Sequence, residues 1–219
     1  MSTKPEQVSI SAQQVKELRE RTGAGVMDCR SALVESGGHL ERAIDLLRMK
    51  GRAAAQKKAH HEATDGLVGS YIHAGGKIGV IVEVNCETDF VARNAEFQRL
   101  CHDLAMHIAA LDPRFIRRDE VTAGVLERER EIYREQARAN SKPEDLIEKI
   151  VAGKMEKFYE QTCLYEQHFI KDETLTVKEL IDQAIAKFKE NISVSRFVRF
   201  KVGEADGSAV AGESPSPSD

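Results

Sequence analysis

Tryptophan is absent from this 219-residue chain, and aromatic residues make up only 5% of it. No run approaches the ~20 consecutive apolar residues of a membrane-spanning helix, which argues against an integral helical membrane protein. Cysteine is sparse. Cys29, Cys86, Cys101 and Cys163 stand 57, 15 and 62 residues apart with no CxxC pair, so neither a zinc ribbon nor a redox dithiol is indicated. Each falls among apolar neighbours, which predicts small buried thiols in a reducing compartment. The opening MSTKPEQVSIS has no apolar core behind a basic leader, so no signal or transit peptide is expected and the cytoplasm is the expected location. A large excess of one charge is lacking too. The net charge is −4; residues 1–60 hold 11 basic against 7 acidic residues, a net of +4 that leaves −8 for the remainder. A dedicated nucleic-acid binder would be far more basic.

What is present is 41% hydrophobic and 31% charged residues, enough for one generous domain or two compact ones. Ser11 and Gln14 form a capping box, and Ile10 with Val15 a hydrophobic staple, at the start of a first helix that Gly23 stops. A second helix is expected over about 26–36, with Val26, Cys29, Ala32 and Leu33 on one face. A third presents Leu40, Ala43, Ile44 and Leu47 at helical spacing. These three helices, residues 1–50, predict a bundle of the size and layout of a ubiquitin-associated (UBA) domain. Arg48, Lys50, Arg52, Lys57 and Lys58 follow without an acid, so 51–65 reads as a basic helical linker.

Near residue 66 the period changes. Leu67–Ile72 is a strand candidate, Ala74–Lys77 a turn, and Ile78, Val80, Val82, Val84 and Cys86 alternate along a second strand. Helical spacing returns from Asn94 to Pro113 and again at about 122–139, 143–161 and 176–189. In the 122–139 segment Glu127, Glu131 and Glu135 each precede an arginine by three residues, which suits a solvated face. Ile192, Val194, Val198, Phe200 and Val202 alternate with polar residues and predict a third, half-buried strand. The expected architecture is α+β, with a three-stranded antiparallel sheet packed against helices over residues 66–203. The acidic stretch 204–219 is expected to be disordered.

Signatures of catalysis are missing. Between Gly69 and Ile78 the spacing departs from a phosphate-binding loop, and Ile78 stands where Ser or Thr must reach magnesium. His61-Glu62-Ala63-Thr64-Asp65 starts like a zinc-protease motif but puts Asp65 in place of the second histidine. His102 and His107 diverge on their helix and read as surface or rim residues. No GxSxG occurs, and no cysteine stands beside a histidine with a third partner. No catalytic, metal-binding or cofactor-binding residue is therefore assigned, and no small-molecule substrate is expected. One segment is odd: Asn85-Cys86-Glu87-Thr88-Asp89-Phe90-Val91-Ala92 places a large apolar residue beside an acid in a short connection. Phe90 could fold back as a core anchor with Asp89 capping a turn, or it could protrude as a hot spot into a partner's pocket.

Two longer segments carry a resemblance. Leu18-Arg19-Glu20-Arg21-Thr22-Gly23-Ala24-Gly25-Val26-Met27-Asp28-Cys29 and Glu83-Val84-Asn85-Cys86-Glu87-Thr88-Asp89-Phe90-Val91-Ala92-Arg93 are similar to the two signatures of the elongation factor Ts family. That family exchanges guanine nucleotide on the translational GTPase elongation factor Tu. The likeness covers about residues 10–202 and the short form, with a single core subdomain. It implies that Asp89 and Phe90, flanked by Thr88 and Val91, enter the GTPase near its magnesium site and loosen the ion and phosphates. It implies that His73 contacts the GTPase near its phosphate-binding region, and that Arg19, Val26 and Met27 touch a helix near the guanine pocket. Val26 and Arg30 stand where Met and Lys are more usual, Ser195 where Arg is common, and Phe188-Lys189 where longer members carry a partner-contacting Ile-Gly pair. The half-buried last strand could pair across a two-fold into a homodimer through the core sheet, as the resemblance to short members also allows, or the chain could be a monomer. The alternative is a non-catalytic adaptor whose three helices hold a helical peptide, or whose basic helix at 48–58 touches RNA.

Overall fold

A computed structural model describes residues 9–140 and 143–204. Helix α1 (Ala12–Thr22) begins at the expected capping box: the Ser11 hydroxyl accepts from the Gln14 amide at 3.2 Å, and Gln14 Oε1 accepts from the Ser11 amide at 3.0 Å. Gly23 ends it in the left-handed conformation (φ 66°), which a glycine adopts without steric penalty. Helices α2 (Val26–Glu35) and α3 (Leu40–Lys58) pack with α1 around Leu18, Cys29, Ala32, Leu33, Ala43 and Ile44.

The expected division at residue 50 falls inside α3, which runs unbroken to Lys58. The alanines and long basic chains after residue 50 are good helix formers, and this half of the helix has a partner of its own. It lies along helix α8 (Val177–Phe188), with Gly51 buried against the Asp182 backbone and Ala55 in the main core. Four basic heads of α3 are paired as well. Arg48 donates to the Thr174 carbonyl and hydroxyl, both at 3.2 Å, and Lys50, Arg52 and Lys58 meet Glu35, Glu179 and Glu87.

Strands β1 (Asp65–Ile72), β2 (Ile78–Cys86) and β5 (Ser193–Lys201) form the expected antiparallel sheet in the order β1-β2-β5. The fold is α+β. Gly66 adopts φ 154°, and a side chain there would collide with the Val84 carbonyl. At Gly69 the helix α5 (Ala95–Leu111) approaches so closely that a Cβ would stand 3.0 Å from that of Cys101. The inner face carries Leu67, Val80, Val82, Val84, Val194 and Phe197 against α5 and α8.

The last strand departs from its expected alternation. Glu83 pairs with Arg196 and Val84 with Val194, so Ser195 is an extra residue, a bulge that reverses which side chains face inward beyond it. Phe197 and Arg199 therefore point to the core, while Phe200 and Val202, expected inside, are exposed. Arg199 is satisfied where it is buried, by the Ala109 carbonyl at 3.4 Å and the carboxylates of Asp112 (3.4 Å) and Glu204 (3.1 Å).

Helices α6 (Ala123–Ala139) and α7 (Glu144–Thr162) form a hairpin with a separate core around Ile147, Val151, Met155 and Phe158. The expected intrahelical pairs Glu127–Arg130 and Glu131–Arg134 form at 3.6 and 3.2 Å, and Arg134 also reaches Glu148 on α7. A small hairpin, β3 (His168–Phe169) with β4 (Asp172–Thr176), was not signalled by any alternation, since two residues carry no period. His107 is not a rim residue. It is fully buried, its Nε2 is 3.0 Å from Gln167 Oε1, and its Nδ1 accepts from the Ile170 amide at 3.4 Å. The four cysteines are free and buried, as their apolar neighbours suggest. Among the described residues no helix is long and apolar enough to cross a membrane. The acidic stretch expected from residue 204 lies, beyond that residue, outside the described residues.

Candidate functional site

Where β2 ends, the odd connection becomes a braced turn and a one-turn helix, α4 (Asp89–Ala92). Thr88 is its cap: the residue is extended, and its hydroxyl accepts from the Val91 amide at 3.5 Å. Val91 and Ala92 turn inward and pack on the main core, which leaves Asp89 and Phe90 on the outer side. Phe90 is 81% exposed, the most exposed large apolar residue described, so it is not a core anchor. The Asp89 carboxylate meets Arg93 at 2.9 Å one turn on.

Two carboxylates hold the root of this projection. Glu190, in the connection between α8 and β5, accepts the amides of Glu87 (3.1 Å) and Thr88 (3.0 Å) and the Thr88 hydroxyl (2.6 Å). In return Glu87 accepts the Asn191 amide at 2.7 Å. The ammonium of Lys58 and the ring of His61, each 3.2 Å away, complete its shell. The Asn191 amide first, then Lys58 and His61, hold the Glu87 carboxyl below the usual carboxylate range. The Asn191 side chain donates to the His61 carbonyl at 2.7 Å, so the end of α3 is tied to the same knot. His61 therefore serves this brace; among the described residues no group of three or more His, Cys, Asp or Glu is placed to hold a metal ion.

Burial raises the thiols of Cys86 to about 11, Cys101 to about 12 and Cys163 to about 11, so they are protonated at neutral pH and unsuited to nucleophilic work. The arrangement offers a rigidly mounted aromatic and an acid, and no reacting pair.

The family model described as Elongation factor TS matches residues 48–204. Elongation factor Ts of Geobacter metallireducens is 60% identical over 197 residues, 90% of this chain and 91% of that protein. The Solibacter usitatus protein of the same name is 56% identical over 207 residues (94% and 98%). That of Fervidobacterium nodosum is 58% identical over 197 residues (90% and 100%). The chain belongs to the elongation factor Ts family.

The elongation factor Ts resemblance also singled out His73, Arg19, Val26 and Met27, and the structure places them apart from the Thr88–Val91 group. His73 lies in the β1–β2 turn, with its Nδ1 3.2 Å from the Tyr71 hydroxyl. Phe90 follows the other end of β2, so the nine-residue strand Ile78–Cys86 runs between them. Arg19, Val26 and Met27 are exposed on the helical bundle, with Met27 at 71%. These residues lie on three different parts of the chain: the short helix after β2, the β1–β2 turn and the helical bundle. The sequence missed Glu190 and Asn191, which lie some hundred positions from the loop they hold. Phe188, one of the replaced pair, packs edge-to-face on Phe97 with centroids 6.1 Å apart, so it faces inward.

Proposed function

We propose that this chain is a guanine nucleotide exchange factor that binds elongation factor Tu with GDP and promotes GDP release by disturbing the partner's magnesium and phosphate site. The observation that carries the reading is Phe90, 81% exposed on a one-turn helix whose base is fixed by Glu190 and Glu87, with Asp89 beside it. An exposed phenyl ring loses free energy in water that a pocket returns, roughly 2–3 kcal/mol when it is fully buried. A GTPase holds GDP through magnesium and a loop of aligned amides. A wedge that binds better when those elements are displaced weakens nucleotide by the same factor by which nucleotide weakens the wedge. Asp89 contributes by bringing negative charge toward the magnesium ligands. His73 and the Arg19, Val26 and Met27 surface supply affinity at a distance from the wedge, so binding energy from remote contacts drives the displacement.

No covalent step belongs to this reading, and the chain acts by binding alone. The basic helix acts as a strut within the chain rather than an RNA grip, because Arg48, Lys50, Arg52 and Lys58 are already engaged there. A homodimer through the core sheet is part of the same proposal: the outer sheet face carries Val68, Ile72, Ile81 and Phe200, all exposed. Four free buried thiols suit the reducing cytoplasm, where we place its action. Release of fluorescent GDP from elongation factor Tu, followed with and without this chain, tests the proposal. A release rate that is unchanged at saturating chain would sink it, as would GDP binding to the chain alone.

A further inference from the structure

Phe90 projects from a helix of one turn, and such a helix has no rigidity of its own. Its direction must come from the residues at its root. Among the outside groups that hold those residues, one carboxylate, that of Glu190, takes both amides and the hydroxyl that the turn presents. Glu190 is partly buried, and charge-assisted hydrogen bonds to it are short and directional. The return bond from the Asn191 amide to Glu87 closes the pairing, so the turn 87–88 and the connection 190–191 lock each other. The second lock reaches α3 through Asn191 and the His61 carbonyl.

We propose that Glu190 is the positioning residue for exchange: it aims the Asp89–Phe90 pair without touching the partner's nucleotide site. The inference rests on the exchange reading above. Without Glu190 the cap at Thr88 loses its outside anchor, and Phe90 samples directions in which it cannot enter the pocket. Small misplacements of a group that acts by position carry large penalties. The loss then falls on the maximal effect of a bound complex rather than on assembly, because the His73 and Met27 surfaces still dock.

The test uses the full chain with Glu190→Ala, Glu190→Gln and, as control, Phe90→Ala. Two measurements are made: amide hydrogen exchange at Glu87 and Thr88 in the free protein, and GDP release from elongation factor Tu titrated to saturation. In Glu190→Ala both amides should exchange at least about tenfold faster while the core strands stay protected. The saturating release rate should fall at least about fivefold, with the half-saturating concentration changed by less than about threefold. Glu190→Gln keeps an acceptor oxygen and should recover most of the rate. Faster exchange at both amides with an unchanged saturating rate would overturn the proposal. So would unchanged amide exchange, or a defect confined to the half-saturating concentration. If Phe90→Ala also leaves release untouched, it is the exchange reading that fails; if Phe90→Ala is impaired and Glu190→Ala is not, only the positioning role fails.

Discussion

The Asp89 carboxylate and the Arg93 guanidinium meet at 2.9 Å across one helical turn, and Phe90 rises beside them into solvent. Both charges are well exposed, so the pair itself adds little stability, at most about 1 kcal/mol before screening. Its consequence is a defined surface: an acid held by its own cation, next to an unsupported aromatic ring.

Replacing that ring separates fold from function. Phe90→Ala removes almost no buried area, so the free energy of unfolding should change by less than about 1 kcal/mol. A buried phenylalanine would cost about 3–5 kcal/mol instead. GDP release driven by the variant should fall by about an order of magnitude or more, with Asp89→Ala showing a milder loss. Thermal melts and release rates on the same preparations check both halves. A large drop in melting temperature would return Phe90 to the core.

His107 should make the core acid-sensitive. Burial holds its pKa near 4, against an ordinary 6.5, so the folded state resists a proton that the unfolded chain accepts. Above about pH 6.5 neither state binds that proton and the contribution is flat. Between 6.5 and 4 the unfolded state binds more protons, so stability falls as pH falls, by roughly 3 kcal/mol in all. His107→Gln should flatten that part of the curve relative to the parent. Urea midpoints at half-unit steps from pH 7 to 4 give the comparison, and parallel curves for the two proteins would count against it.

The α+β class, the β1–β2 hairpin and the last strand were legible because their residues carry strict periods. Where one residue breaks the period the sequence misleads: Ser195 bulges out against Glu83 and Val84, so Arg199 goes in and Phe200 comes out. Nothing in the local pattern marks such a bulge, since it is fixed by pairing with β2. His107 was misjudged for a related reason. Its burial depends on Gln167, sixty positions on, whose side chain also donates to the carbonyls of Leu111 (3.5 Å) and Gln161 (2.8 Å). At the candidate site, the segment Thr88–Val91 stood out in sequence, while Glu190 had no motif to announce it.

The continuity of α3 bears on truncation. Removing residues 1–50 leaves eight residues of that helix, Gly51–Lys58, well below the ~12–15 at which a helix holds itself in water. It also removes Arg48 and its two bonds to Thr174. A chain beginning at residue 39 keeps both. The shorter chain should melt at least about 5 °C below the longer one, a difference of one to a few kcal/mol for a domain of this size. Equal melting temperatures would show that the N-terminal half of α3 gives the core nothing.

The bulge also has a consequence for self-association. With its phase reversed after Ser195, β5 places Phe200 on the same outer face as Ile81, and the register sets Val68 and Ile72 on β1 beside them. Val68, Ile72 and Phe200 are each more than 60% exposed and Ile81 about half. Apolar side chains gathered on one face of a sheet are stabilised when a second sheet covers them at ~10 Å, and a second copy brings an identical face. Mixed charge at one end, where Glu83 and Arg196 meet at 2.7 Å, would set the rotation of that pairing. Light scattering on the parent should therefore give about twice the 24.4 kDa chain mass. Phe200→Glu places a charge on that apolar face, on its edge strand beside Gly79 and, beyond it, Ile72, and should return the mass to that of one chain. Because position 200 is open to water in the single chain, the monomer's own stability should shift by no more than about 0.5 kcal/mol. A parent that is monomeric at micromolar concentration would refute the pairing, and so would a Phe200→Glu variant that keeps the doubled mass.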